Sequence, residues 1–171
     1  NAPLQVAMEA SPDGRVAYLA RAVRSATQWQ VSLDVIDLVT GAVTDTVELI
    51  SFQQSDRSVV LTVEPPNLRV APDGRHVLLI AGTERLTSMG PVSSTRHAWM
   101  IDAAGSTLGR AEKVDDIADA SSNVSAGPCA WVTFASPSVI AKGCRYQTEA
   151  GSSFEIRRFD LAGRTLEPIV V

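Results

Sequence analysis

Ser11-Pro12-Asp13-Gly14-Arg15, running into the apolar stretch Val16-Ala17-Tyr18-Leu19-Ala20, decides the fold, because the chain repeats the phrase. Sixty positions on, Ala71-Pro72-Asp73-Gly74-Arg75 precedes Val77-Leu78-Leu79-Ile80, and a worn third copy, Ala135-Ser136-Pro137-Ser138, precedes Val139-Ile140-Ala141. Proline presets φ, aspartate bonds back to its own backbone and glycine accepts positive φ, so each phrase reads as a tight turn. The flanking runs are short and rich in Val, Ile, Leu and aromatic residues, which is strand composition.

A second element travels with the first. Val31-Ser32-Leu33-Asp34-Val35-Ile36-Asp37-Leu38 leads to Thr40-Gly41, Ala98-Trp99-Met100-Ile101-Asp102 to Ala104-Gly105, and Phe154-Glu155-Ile156-Arg157-Arg158-Phe159-Asp160-Leu161 to Ala162-Gly163. After each glycine comes another short strand, beginning at Val43, Thr107 and Thr165. An aspartate followed three or four residues later by glycine is again hairpin chemistry. Each unit is therefore strand, Pro-Asp-Gly turn, strand, variable loop, strand, Gly turn, strand: an antiparallel meander of roughly 60 residues, the size of a long propeller blade. In the fourth strand of unit one, Val43, Val47 and Leu49 alternate with Thr44, Thr46 and Glu48, as expected of an outer strand with one wet face. The sequence thus predicts an all-β chain of three consecutive four-stranded antiparallel β-propeller blades, a partial or half propeller. It forms a single domain over 1–171, with blade one about 1–57, blade two about 58–120 and blade three about 121–171. An unrelated antiparallel sandwich is the competing reading, and the matching order of both turn types argues against it.

Composition narrows the class. At 45% apolar and 20% charged residues the chain has the balance of an ordinary globular domain. A net charge of −4 and a pI near 5.1 argue against duplex nucleic acid as the partner. No apolar run is long enough for a membrane span.

The Pro-Asp-Gly-Arg turn followed by Val31 through Gly41 resembles the YVTN-type β-propeller repeat of bacteria and archaea, a relative of the WD-repeat and TolB-like propellers. The resemblance covers nearly the whole chain, most closely in unit one. It implies cell-surface or periplasmic binding modules, and also scaffolds for several unrelated enzymes. These units are longer than is usual in that family. Closed propellers carry four to eight blades, so three units imply completion by further chain, by a second copy making a six-bladed ring, or by a protein partner.

The chain has two cysteines, Cys129 and Cys144. Their midpoint lies between Ser136 and Pro137, the centre of the third turn, so a hairpin without a bulge sets them face to face within disulfide range. A bridge there implies export, to the periplasm, cell surface or extracellular space. Two buried free thiols are the alternative.

Catalytic signatures are not found. His76 and His97 have no metal-ligand spacing, the serines form no Gly-x-Ser-x-Gly elbow, and no phosphate-binding glycine loop is present. Asp115-Asp116-Ile117-Ala118-Asp119 lacks calcium-loop spacing, and Asn123-Val124-Ser125 is formally a glycosylation sequon. The expectation is no catalytic residue, no metal and no cofactor. The loops between second and third strands, 21–30, 82–96 and 147–152, are the candidate recognition surface. They carry Arg21, Arg24, Arg85 and Arg96, which suit carboxylate or phosphate groups, with Trp29 and His97 at their edges. The functional expectation is a non-catalytic binding or scaffold module recognising protein or ligand through those loops. The alternatives are part of a propeller enzyme or redox protein whose chemistry lies on other blades, and a docking subunit of a larger assembly.

Overall fold

The computed structural model describes residues 4–24, 28–53, 60–63, 66–87, 90–114, 117, 129–148 and 151–170. They form three antiparallel sheets. Sheet 1 runs β1 (Leu4–Ala10), β2 (Val16–Arg24), β3 (Gln28–Asp37), β4 (Val43–Gln53), each paired with the next. Sheet 3 repeats this order with β10 (Cys129–Ser136), β11 (Val139–Thr148), β12 (Gly151–Asp160) and β13 (Thr165–Val170). Sheet 2 has the same plan with its first strand divided. β6 (Asn67–Val70) pairs with the Val77–Ile80 part of β7 (His76–Thr87), and β5 (Val60–Val63) pairs with its Thr83–Leu86 part. β8 (Gly90–Ala104) and β9 (Thr107–Lys113) complete it. Pro65-Pro66 falls between β5 and β6, and proline has no N–H to carry a ladder onward. The predicted all-β chain of three four-stranded meanders is what the structure contains, arranged like the blades of an unclosed propeller.

The turns hold by the residues that announced them. Asp13 Oδ1 accepts from the Ser11 hydroxyl at 2.7 Å and from Arg15 N at 3.1 Å, while Gly14 takes φ +70°. Asp73 Oδ1 accepts from Arg75 N at 3.0 Å, with Gly74 at φ +71°. In the worn third copy Ser136 Oγ accepts from Ser138 N at 3.3 Å. At the other turns Asp37 Oδ1 accepts from Val39 N, Thr40 N and the Thr40 hydroxyl, and Asp160 Oδ1 accepts from Ala162 N and Arg164 N.

The sheets stack face to face with sheet 2 in the middle. Period-2 alternation sends Val77, Leu79, Ala81, Trp99, Ile101 and Ala103 toward sheet 1, where they meet Tyr18, Val31, Leu33 and Val35. Leu78, Ala98 and Met100 point the other way, onto Val132, Phe134, Ile140 and Phe159 of sheet 3. Each Val, Leu, Ile, Phe or Met among them, fully buried, contributes about 1.5–3 kcal/mol. First strands lie beside first strands, β1 against β6 and β6 against β10, and β4 lies against β9. Polar bonds cross between sheets at these strands: Val70 N donates to Glu9 Oε2 at 3.2 Å, Leu108 N to Asp45 Oδ2 at 2.7 Å, and Arg69 Nε to Val132 O at 3.0 Å. Burial raises the Glu9 carboxyl above the usual range, opposed by Arg69 and by the Val70 hydrogen bond.

Two expectations are corrected. The stretches 21–30 and 82–96 are mostly strand, not loop. β2 continues to Arg24 against Trp29 on β3, and β7 continues to Thr87 against Gly90 on β8. The reason is visible in Ala20, Ala22, Trp29 and Val31, which keep feeding the core face beyond the point where arginines enter the sequence. In β4, register shifts beside Val31 and Val35 break the simple alternation, so Val47 and Leu49 pack on the core while Val43 is exposed.

Candidate functional site

The molecule offers three features that could form a site: the six residues singled out in the sequence, a cleft between sheets 1 and 2, and the open ends of the stack. The six do not converge. Arg21 lies on the face of β2 turned away from sheet 2, where its Nη2 donates to Asp34 Oδ1 at 2.9 Å and its Nε sits 2.5 Å from Asp34 Oδ2. The Asp34 carboxylate is almost wholly buried and also accepts from the Thr46 hydroxyl at 2.9 Å. Arg24 pairs across the ladder with Trp29 at the far end of the same sheet. Trp29 is buried in the core between sheets 1 and 2, so it is not available to pack on a partner. His97 tilts against Trp99 at 5.9 Å, and strand alternation sends Arg96 to the opposite face of β8. Arg85 is on β7 opposite Ser93, and its side chain lies outside the described set. The acidic stretch at 115–119, apart from Ile117, and the sequon at 123–125 also lie outside the described residues.

The cleft, of about 890 Å³, opens where the first two Pro-Asp-Gly turns meet the Asp37 turn and the Asp102–Ser106 turn. Asp13, Asp37, Asp73 and Asp102 line it with Arg15, Arg75 and His76, and Tyr18 is at its wall. Asp13, Asp37 and Asp73 bond into their own turns. The Ser11 hydroxyl, then the Arg15 amide, hold Asp13 below the usual carboxylate range, and the Thr40 amide and hydroxyl do the same for Asp37. Burial, reinforced by Asp13, pushes the Tyr18 phenol up. His76 Nε2 is 3.9 Å from Asp102 Oδ1, beyond hydrogen-bond reach, and its buried Nδ1 has no partner. Ser11 Oγ bonds into its own turn, to Asp13 and the Val16 backbone. The cleft therefore holds turn-forming groups and no nucleophile–base pair among its described lining. Among the described residues no three His, Cys, Asp or Glu side chains group as metal ligands, and no helix is long and apolar enough to cross a membrane.

The ends of the stack are different in kind. On the outward face of sheet 1, Leu4, Val6 and Met8 alternate along β1, with Met8 67% exposed. On the outward face of sheet 3, Trp131 is 39% exposed and its indole lies over Gly143, where a Cβ would run into the ring. Ile156, opposite Gly143 on β12, and Ile169, opposite Ile156 on β13, extend this patch. Contiguous exposed apolar surface of this kind marks interaction sites. Repeat equivalence would have found these faces in the sequence, because they occupy the positions that form the core elsewhere.

In sheet 3 the backbone register sets Cys129 opposite Cys144. The route differs from the bulge-free hairpin expected. Register shifts between Phe134 and Ser136, and between Cys129 and Trp131, each insert a residue on β10. A bulge-free continuation of the Ser136–Val139 pairing would have set Cys129 against Tyr146, so the two bulges together bring the cysteines opposite. The Cys144 side chain is fully buried, and no described cysteine is free.

No family model matches the chain, and no curated protein matches it in sequence.

Proposed function

We propose that this chain is a non-catalytic binding or scaffold module of the YVTN-type propeller class, and that it recognises protein through the outward faces of its end sheets. The observation that carries this is the exposed apolar side chains on the two outward faces at opposite ends of one stack, along β1 at Met8, beside the Arg21–Asp34 pair, and around Trp131. Both are built from the same strand positions that make the internal sheet–sheet contacts. A protein partner that brings its own sheet face buries them, and a small ligand does not. The second–third strand connections carry less of this reading than the sequence assigned them, because most of that length is paired strand.

We propose further that Cys129 and Cys144 form a cross-strand disulfide and that the module works in an oxidising compartment outside the cytoplasm. The register supports the bridge.

Photo-crosslinking tests the binding role. A benzophenone side chain placed at position 8 or 131 should give protein adducts in expressing cells, and one at Arg110, exposed on the outer strand β9, should not. Equal labelling at all three positions, or none at 8 and 131, contradicts the reading.

A further inference from the structure

Counted from their turns, the strand registers make positions of the three sheets equivalent. Leu19 and Leu79 each stand five residues after the turn glycine, and they pair with Asp34 and Trp99, each three residues before the next turn aspartate. Lys142 pairs with Arg157, three residues before Asp160, so it is the third member of the set. The first-strand residues opposite these three are Met8, Leu68 and Val132. Leu68 is 2% exposed and Val132 3%, each covered by the preceding sheet, whereas Met8 is 67% exposed.

The other face follows the same rule. Glu9, Arg69 and Thr133 are equivalent, standing one residue further along the first strand. Glu9 accepts from Val70 N of the next sheet, and Arg69 Nε donates to Val132 O of the next sheet. Thr133 occupies that reaching position on the outward face of sheet 3 and is exposed. On β12, Ile156 is equivalent to Leu33 and Ala98, both fully buried where another sheet follows.

The chain thus has two completed joints of one design, sheet 1 to sheet 2 and sheet 2 to sheet 3. Its two outward faces are the two halves of a third. We infer that the occupant is a second copy of this chain: the outward face of sheet 3 receives the outward face of sheet 1 of its partner, and the reverse joint closes the pair. Two copies make six sheets, within the four to eight that close a propeller. The symmetry is two-fold, with two identical joints, so neither face is left open to propagate a fibre. Thr133 then abuts the partner strand at Met8, as Arg69 abuts Val132. This inference rests on the proposed binding role and names the partner.

The test is light scattering behind size-exclusion chromatography on the oxidised chain and two variants, Met8→Asp and Thr133→Arg, whose folding is checked by circular dichroism. The native chain should elute as a dimer, twice 18.2 kDa. Each variant alone should elute as a monomer. Their equimolar mixture should recover the dimer, because one joint is then native and the other sets an arginine against an aspartate. A monomeric native chain, an array larger than a dimer, or a dimer indifferent to either variant overturns the inference. If the native chain is monomeric while positions 8 and 131 still crosslink to a different protein, the binding role stands and self-association falls.

Discussion

Trp99→Ala should lower the unfolding free energy by about 3–5 kcal/mol, the range for truncating a buried tryptophan. Trp99 is 5% exposed, on the face of β8 that meets sheet 1, between Leu79 on β7 and Lys113 on β9. Its neighbours in the same cluster, Val31, Leu33, Leu79 and Ile101, belong to paired strands, so they have little freedom to collapse into the space vacated. The lost term is therefore the transfer of the indole plus the cavity it leaves. Small domains have about 5–15 kcal/mol in total, so the variant sits near the limit of folding. Urea unfolding read by circular dichroism checks it. The midpoint should fall with the slope unchanged. A loss below about 1 kcal/mol would mean that Trp99 does not separate sheets 1 and 2.

The second large effect belongs to the cysteines. Replacing both Cys129 and Cys144 by alanine should cost about 3 kcal/mol, the chain-entropy value for closing a loop of about 15 residues. The native hairpin spans the two positions with β10 and β11 already paired, so its geometry survives without the bridge while the unfolded chain gains freedom. Reduced native protein should match the double variant, and oxidised native protein should unfold at higher denaturant. Coincident unfolding curves for oxidised protein and double variant would remove the disulfide, and with it the support for an oxidising compartment.

Much of this fold is legible in the sequence because its turns are chemically explicit. Asp13, Gly14, Asp73 and Gly74 perform in the structure the roles their order announces, and Asp37, Asp102 and Asp160 each precede a positive-φ glycine. Strand length is less legible. Arg21 looks like a loop residue, yet on a paired strand every second side chain faces away from the core and tolerates charge, while Arg24 stands at the last paired position of β2, opposite Trp29. The same alternation held information about the candidate site. On β3 Trp29 has the parity of Val31, Leu33 and Val35, which places it in the core, and on β2 Arg21 has the parity opposite to Tyr18, Ala20 and Ala22. The division of the first strand of sheet 2 was signalled by Pro65-Pro66, whereas the bulges in β4 and β10 left no mark that composition or spacing can show. The outward faces are not legible strand by strand, because Leu4, Val6 and Met8 look like any strand. Only the comparison of Met8 with Leu68 and Val132 exposes the missing cover.

The three sheets form a stack whose middle sheet is sealed on both sides and whose end sheets each leave one face uncovered. Native-state hydrogen exchange, resolved by residue, tests it most directly. Amides of β7 over Val77–Ala81 and of β8 over Ala98–Ala103 should exchange slowest, through openings close to global unfolding. Amides of β4 and β13, on the outer edges of the end sheets, should exchange faster. If β7 and β8 exchange no more slowly than β4 and β13, sheet 2 is not the buried middle layer and the account of the end faces fails with it.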